Sequence, residues 1–277
     1  MRAWWRQLTH VLSIAGALVL LAGCTGTSTS AGSAGYGGNG GPWSDGSSSG
    51  NYNFSDGDGF NTVTGSGRLI SRQIPVSGVT SVVIGASFVV HVALGAPEQA
   101  TIRFDDNLAD LIDAGVSNGT LRIGLKPGSS VRNATLTAEV TVRQLDQLRA
   151  AGASDVTLTS APAGPVLQLD VSGASKLTGP VRVNRLEVSE AGACVVTLSG
   201  NAGSMRLTAA GASQLRGGDL SVADLDATLA GASQATVAVS QTLAATADGV
   251  SMLRYRGSPR ITRQQTSGVS SIVQDSP

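Results

Sequence analysis

Apolar and polar residues alternate along short stretches in the C-terminal half of this chain, and the pattern returns with a period of about 20 residues. Each copy follows a glycine, and the seven glycines are Gly152, Gly173, Gly192, Gly211, Gly231, Gly249 and Gly268. The fourth residue after each glycine is always apolar, as in Val156, Leu177, Val196, Leu215, Ala235, Leu253 and Ile272. The third and fifth residues are mostly polar. An alternation of this kind is typical of a β-strand with one buried face.

A repeat of about 20 residues with a fixed small-residue signature predicts stacked structural units. One repeat has room for two or three strands of about five residues, and stacked turns lie about 4.8 Å apart. Seven such turns would make a rod roughly 30 Å long. Apolar spacing typical of helices is absent. We therefore predict an all-β, single-domain β-solenoid with about 19–20 residues per turn and atypical N-terminal turns.

The glycine of each repeat is expected to occupy a bend, because a residue without a Cβ tolerates unusual backbone angles. The residue two positions later is Ser in six repeats and Cys194 in one. Strand parity would point this row inward, where each hydroxyl needs a hydrogen-bond acceptor. If the bend breaks the parity, the row faces water instead.

Residues 67–147 are rich in strand-forming residues but lie outside the strict repeat. Strands are predicted around 82–84, 88–92, 101–104, 121–125 and 138–142, with a helical turn or loop at 106–112 and a tight turn at Asn118-Gly119. These units are either irregular early turns of the solenoid or a cap on its N-terminal end.

The segment 1–24 has the features of an export signal. Arg2 and Arg6 precede an apolar run from Val11 to Ala22, which is too short to anchor a protein across a bilayer. The ending Leu21-Ala22-Gly23-Cys24 resembles the bacterial lipoprotein lipobox, in which the cysteine is acylated and becomes the mature N-terminus. The resemblance implies a lipid anchor at Cys24, on the outer face of the plasma membrane or, in a Gram-negative cell, on the outer membrane.

Residues 25–66 are dominated by Gly, Ser, Thr and Asn, and such a segment cannot bury enough apolar surface to offset its ordering entropy. We expect a flexible tether with a root-mean-square reach of roughly 35 Å. The predicted organisation is thus a signal peptide over 1–24, a tether over 25–66 and a solenoid domain over 67–277.

Composition and motifs give little support for catalysis. The chain has 19 basic and 19 acidic residues without a basic stripe, which argues against nucleic acid as a partner. His91 is the only histidine beyond the signal segment, and no multi-ligand metal spacing or cofactor motif occurs. The densest acidic group is Asp105, Asp106, Asp110 and Asp113, which would need two converging carboxyls to act as a general acid and base.

The order of several segments resembles one known family. These segments are Phe88-Val89-Val90-His91-Val92, Asp106-Asn107-Leu108, Asn118-Gly119-Thr120-Leu121-Arg122-Ile123 and the Gly-Ala-Ser repeats. Over residues 69–273 the chain is similar to the "putative auto-transporter adhesin head GIN domain" family, a group of bacterial envelope β-solenoids once classed as a domain of unknown function. The resemblance implies adhesion and offers no agreed catalytic residues.

The resulting hypothesis is an envelope lipoprotein whose solenoid presents a non-enzymatic binding or adhesion surface, without a cofactor or metal. The expected partners are the membrane, through the N-terminal lipid, and a cell-wall glycan, surface glycan or envelope protein. Two alternatives stay open, namely a β-helix enzyme that cleaves polysaccharides and a sensory or regulatory component of the envelope.

Overall fold

The computed structural model describes residues 61–275. The predicted signal peptide, Cys24 and most of the predicted tether lie outside the described residues. The described part contains one short 3₁₀ helix, Asp106–Leu108, and the strands β1 Asn61–Thr64, β2 Leu69–Ile74, β3 Ser81–Ile84, β4 Val89–Leu94, β5 Gln99–Asp105, β6 Ile112–Ser117, β7 Thr120–Leu125, β8 Ser129–Arg132, β9 Leu136–Val142, β10 Gln147–Ala150, β11 Asp155–Leu158, β12 Ala163–Gly173, β13 Lys176–Gly192, β14 Val195–Gly211, β15 Gln214–Leu229, β16 Gln234–Ala247, β17 Met252–Arg256, β18 Arg260–Thr266 and β19 Ser271–Gln274.

From β10 onward the chain climbs one parallel stack, which confirms the predicted β-solenoid. Strand β13 pairs with β14 in parallel from Lys176 opposite Val195 to Gly192 opposite Gly211, and the offset between partners stays constant along the whole pairing. Later turns shift this offset at bulges in β15 and β16. The strands are longer than the short pieces expected from the sequence, because inter-turn hydrogen bonding continues through the bends and gives β13 and β14 17 residues each.

The core fills the inside of the coil with rows of aliphatic side chains. One row runs in register through Leu167, Leu186, Met205, Leu225 and Leu243, all of them buried. Within one turn the inward residues are Val196, Leu198, Ala202, Met205, Leu207, Ala209 and Ser213. The odd-numbered step from Ala202 to Met205 changes the strand parity, so the chain bends there as well as at the repeat glycine.

The seven repeat glycines form one column at a corner of the coil. All have positive φ, between 69° and 109°. The residue after each glycine donates its N–H to the carbonyl one turn below, as from Ala212 to Gly192 at 2.7 Å. A Cβ on Gly211 would lie 2.6 Å from that same Gly192 oxygen, so both the backbone angle and the close approach require glycine there.

The serine row points inward, which confirms the prediction from strand parity. Ser154, Ser175, Ser213, Ser233 and Ser251 are at most 1% exposed, and Ser270 in the last turn is half-buried. Four of the hydroxyls donate to the carbonyl of the third preceding residue, as from Ser175 to Ser172 at 2.8 Å. Each of these bonds satisfies a buried hydroxyl and closes the corner locally.

The N-terminal segments supply both irregular turns and a cap. Strands β3 and β4 form one parallel turn. The turn below it consists of β7 and β9, and the turn above it consists of β10 and β11, so the order of the turns differs from the order of the sequence. Strands β2 and β5 continue beyond β9 in antiparallel pairing, and β6 pairs with β7 through the predicted turn at Asn118-Gly119. An antiparallel layer therefore covers the first turn.

The described structure begins earlier than the predicted boundary at residue 67. Strand β1 pairs in parallel with β8 from Asn61 opposite Ser129 to Thr64 opposite Arg132. Asn107 adds a side-chain bond from its Nδ2 to the Thr64 carbonyl at 2.8 Å. The end of the segment assigned to the tether, from Asn61 to Ser66, is thus part of the folded unit. Composition alone does not predict β1, because its partner strand β8 lies far along the sequence.

Candidate functional site

A polar groove runs along one outer side of the solenoid, on the second halves of strands β12 to β16. Two adjoining cavities of about 210 and 120 Å³ form it, and they share Glu187 and Arg206. We define the polar groove by the side chains Gln168, Asp170, Arg185, Glu187, Arg206, Asp224, Asp226 and Thr242. It crosses five successive turns, which at about 4.8 Å per step is roughly 19 Å.

Strand parity and register bring these side chains together. Leu186, Val188, Leu225 and Ala227 point into the core, so their neighbours Glu187 and Asp226 point outward. Glu187 lies opposite Arg206, and Arg206 lies opposite Asp226 in the next turn. A column of alternating charge follows along the groove, and Ala244 in the turn beyond Asp226 leaves a depression because its side chain is small.

Short polar contacts orient the groove carboxylates. Thr242 donates through Oγ1 to Asp224 at 2.5 Å, and Arg263 pairs with Asp226 at 2.5 Å. At the other end Arg149 donates to Asp170 at 3.0 Å. Ion pairs this exposed contribute about 0–1 kcal/mol to folding, so their main effect is to position donors and acceptors.

The groove offers dense hydrogen-bonding capacity on a rigid ladder, which suits the binding of a hydroxylated or charged surface. A general acid in a glycosidase needs an accessible carboxyl with a raised pKa. Burial raises the pKa of Glu190 to about 8, but this carboxyl is 1% exposed and faces the core, out of reach of a substrate. The pKa of Asp106 and that of Asp248 are lowered, chiefly by hydrogen bonds from Ser66 and Ser267 respectively.

The acidic group singled out in the sequence does not converge. Asp105 is buried and accepts hydrogen bonds from the backbone N–H of Gly67 at 2.5 Å and of Thr135 at 2.7 Å, so it holds two chain segments together. Asp106 binds Ser66 and Arg68 at the surface. Asp110 and Asp113 are exposed. These contacts are structural and leave no acid–base pair within this group.

His91 lies exposed on β4 and is opposite Glu139 on one side and Thr157 on the other. Over residues 61–275 no group of three or more His, Cys, Asp or Glu is arranged to hold a metal ion. Cys24 lies outside the described residues, so its lipidation stays a prediction from the sequence.

The polar groove was not predicted from the sequence. A signal was present, because Glu187, Arg206 and Asp226 follow one another at intervals close to the repeat itself, roughly 20 residues. That spacing places three charges in one column only once the turns are known to be in register. The register itself shifts by one residue opposite Thr197 and Ser199, where β15 has an extra residue.

A family model described as "Putative auto-transporter adhesin, head GIN domain" matches residues 78–259. No curated protein sequence matches the chain significantly. In the described part of the chain, no helix has the length and apolar character needed to cross a membrane.

Several solved structures share the fold. A putative adhesin from Bacteroides fragilis NCTC 9343 superposes with a TM-score of 0.73 at 22% identity, covering 77% of this chain and 100% of its own. A putative adhesin from Parabacteroides merdae ATCC 43184 gives 0.63 at 18% identity, covering 78% and 99%. A putative lipid binding protein from Parabacteroides distasonis ATCC 8503 gives 0.63 at 18% identity, covering 78% and 100%. At these identities the likeness establishes the fold.

Proposed function

Because this chain belongs to the family described as "Putative auto-transporter adhesin, head GIN domain", we propose that it is a non-enzymatic binding protein of the cell envelope that uses the polar groove for adhesion. The observation that carries the proposal is the groove itself. It crosses five turns of one stack and carries carboxylates or guanidinium groups on four of them, with alternating charge in the column of Glu187, Arg206 and Asp226. The ligand class that fits is a glycan, whose hydroxyls can donate to Glu187 and Asp224 and accept from Arg206.

Membrane attachment is the second part of the proposal. The lipobox-like ending at Cys24 supports acylation, and acyl chains contribute about 0.8 kcal/mol per buried CH₂ to membrane binding. The segment that follows would hold the solenoid away from the bilayer so that the groove can reach wall or surface polymers. This arrangement places the protein on the outer face of the plasma membrane or, in a Gram-negative cell, on the outer membrane.

Anchoring is tested by labelling cells with a clickable fatty acid. The wild-type chain should incorporate the label, and Cys24→Ala should not, because the acylation chemistry requires the thiol. A Cys194→Ser chain serves as the control and should be labelled like the wild type. Equal labelling of the wild type and Cys24→Ala would refute the anchor while leaving groove binding untouched.

Groove binding is tested with the full chain, purified in detergent, on arrays of cell-wall and surface glycans. We expect Arg206→Gln to reduce binding at least tenfold, whereas Arg216→Gln, an exposed arginine on a different side of the coil, should bind like the wild type. Glycan binding that survives Arg206→Gln together with Glu187→Gln would show that the groove is not the binding surface.

The enzymatic alternative shares the same groove and is tested on the same arrays. Asp224 and Asp226 point into the groove, yet each is already engaged, by Thr242 and by Arg263. Release of soluble sugars by the wild type, and its loss in Asp224→Asn, would establish polysaccharide cleavage in place of simple binding.

A further inference from the structure

A third cavity, of about 410 Å³, lies near the N-terminal end of the stack, beside the loop between β7 and β8. Its floor is formed by Gly85 and Gly124 in adjacent turns, and Ala151 continues the floor in the turn above. A Cβ on Gly85 would meet no heavy atom within 4 Å, which shows that the space above this residue is open. We call this space the glycine-floored cavity. Its volume falls within the range of about 300–1,000 Å³ that is typical of small-molecule sites.

The wall of the glycine-floored cavity carries more positive than negative charge. Arg122, Lys126 and Asp113 line the cavity, which gives it one excess positive charge. Within residues 61–275 neither Arg122 nor Lys126 forms an ion pair, whereas seven other pairs occur. Two unpaired cations beside one carboxylate in a concave site favour an anionic ligand that also carries hydrogen-bond donors.

We propose that the glycine-floored cavity binds a carboxylate-bearing sugar residue of an acidic glycan, a refinement that rests on the glycan-binding function proposed above. Arg122 and Lys126 bind the sugar carboxylate, and Asp113 accepts hydrogen bonds from ring hydroxyls. The C–H face of the sugar packs on the half-buried side chains of Val83 and Leu125. A doubly charged phosphate fits this set less well, because Asp113 would repel its second charge.

Isothermal titration of the full chain in detergent tests the ligand class. The probes are glucuronate, glucose, inorganic phosphate and an oligosaccharide that ends in glucuronate. We expect glucuronate to bind at least tenfold more tightly than glucose or phosphate, and the oligosaccharide to bind at least as tightly as the free sugar. Absent binding of glucuronate, or phosphate binding as tight as that of glucuronate, would overturn the proposal.

Two variants test the location. Gly85→Leu should fill the cavity without backbone strain, since φ at Gly85 is not positive, and should weaken glucuronate binding at least tenfold. Gly164→Leu is the matched control, because a Cβ there also meets open space but lies outside the cavity. Arg122→Gln, which introduces no bulk, should weaken binding to a similar degree. Unchanged affinity in both Gly85→Leu and Arg122→Gln would place the site elsewhere.

The glycan-array assay distinguishes binding in the glycine-floored cavity from binding in the polar groove. If Gly85→Leu keeps wild-type binding of acidic glycans and Arg206→Gln loses it, adhesion through the polar groove stands and the glycine-floored cavity is refuted as a glycan site.

Discussion

At the scale of single residues, the repeat glycines determine whether successive turns can approach each other at the corner. Gly211 has φ of 85°, and a Cβ added there would lie 2.6 Å from the Gly192 oxygen. We expect Gly211→Val to destabilise the fold by more than about 2 kcal/mol, through backbone strain and loss of the close contact. Gly164→Ala has neither problem and should stay within about 0.5 kcal/mol of the wild type. Urea denaturation compares them, and equal midpoints would contradict this account of the corner.

Glu190 is a buried carboxyl whose oxygens have no hydrogen-bond partner among the described residues. It stacks between Val171 below and Ala209 above, and burial raises its pKa from 4.5 to about 8. The folded state therefore keeps the proton over a pH range in which the unfolded chain releases it. Stability should fall as pH rises from about 4.5 to about 8, by up to about 5 kcal/mol, and should then level off.

The measurement is the free energy of unfolding at several pH values. Glu190→Gln should abolish most of the decline between pH 5 and 8 and should be more stable than the wild type at about pH 8, because no charge has to be buried. Glu139→Gln, at an exposed position on β9, should keep the wild-type slope. An unchanged slope in Glu190→Gln would mean that another group titrates.

Cys194 replaces serine in the buried row, and its sulfur is 3.3–3.6 Å from three backbone carbonyl oxygens. Burial raises the pKa of this thiol, so both access and thiolate formation are reduced. In a Cys24→Ala background, a bulky maleimide should label Cys194 only after unfolding. Ala193→Cys, at the preceding exposed position and combined with Cys194→Ser, should label in the native state. Rapid native labelling of Cys194 itself would show that the corner opens.

At the scale of elements, the turn formed by β3 and β4 contains an unrecognised copy of the repeat, shifted by a single position. The sequence reads Gly85-Ala86-Ser87, but Ala86 occupies the glycine place, with φ of 63°, and Ala153 donates to its carbonyl at 2.8 Å. Phe88 then takes the inward place of the serine and is fully buried. A large apolar side chain thus joins the core at the place where the later turns carry a serine.

Ala86→Gly should therefore stabilise the protein, by about 0.5–1 kcal/mol, because glycine adopts positive φ without the steric cost that alanine has. Ala238→Gly, within strand β16, should destabilise the protein by a similar amount, because glycine there only adds backbone entropy to the unfolded chain. Thermal melts of both variants give the comparison. A loss of stability in Ala86→Gly would contradict the strain assigned to this corner.

Comparison of the turn formed by β3 and β4 with the later turns shows which features of the fold can be predicted from the sequence. The period, the inward Leu and Val row and the inward serines follow from local parity, because each turn repeats the environment of the previous one. The placement of β3 between β7 and β10, and of β4 between β9 and β11, depends on pairing with strands far along the chain, which no local pattern encodes. The polar groove was missed for a similar reason, since Arg206 and Asp226 become neighbours only through the inter-turn register.

At the scale of the whole described unit, the two ends of the stack are finished differently. The N-terminal end is covered by the antiparallel strands β2, β5 and β6. Among the described residues, the other end of the stack is formed by β18 and β19, and every residue of β18 is exposed. An uncovered parallel edge can recruit further strands, so this end needs features that prevent association.

Polar residues replace the core row in this last turn. Ala245 and Ala247 are fully buried in β16, and their partners in β18 are Gln264 and Thr266. Gln264 reaches across the end of the coil and donates to the carbonyl of Ile272 at 3.3 Å. Arg260 adds a positive charge that opposes edge-to-edge pairing of two copies, whereas the charge of Arg263 is paired with Asp226. A terminal unit with a polar outer surface is what a soluble repeat protein requires.

Restoring the apolar row at this end should therefore convert it into an interface. We expect the double variant Gln264→Leu/Thr266→Val to associate with rising concentration, because two apolar coil ends can then stack and pair their free edges. Sedimentation velocity over a hundredfold concentration range would measure this. Gln265→Leu is the matched control, since its register partner Thr246 lies on the outer side of the coil. A double variant that sediments like the wild type at every concentration would show that Gln264 and Thr266 are not what keeps this end from associating.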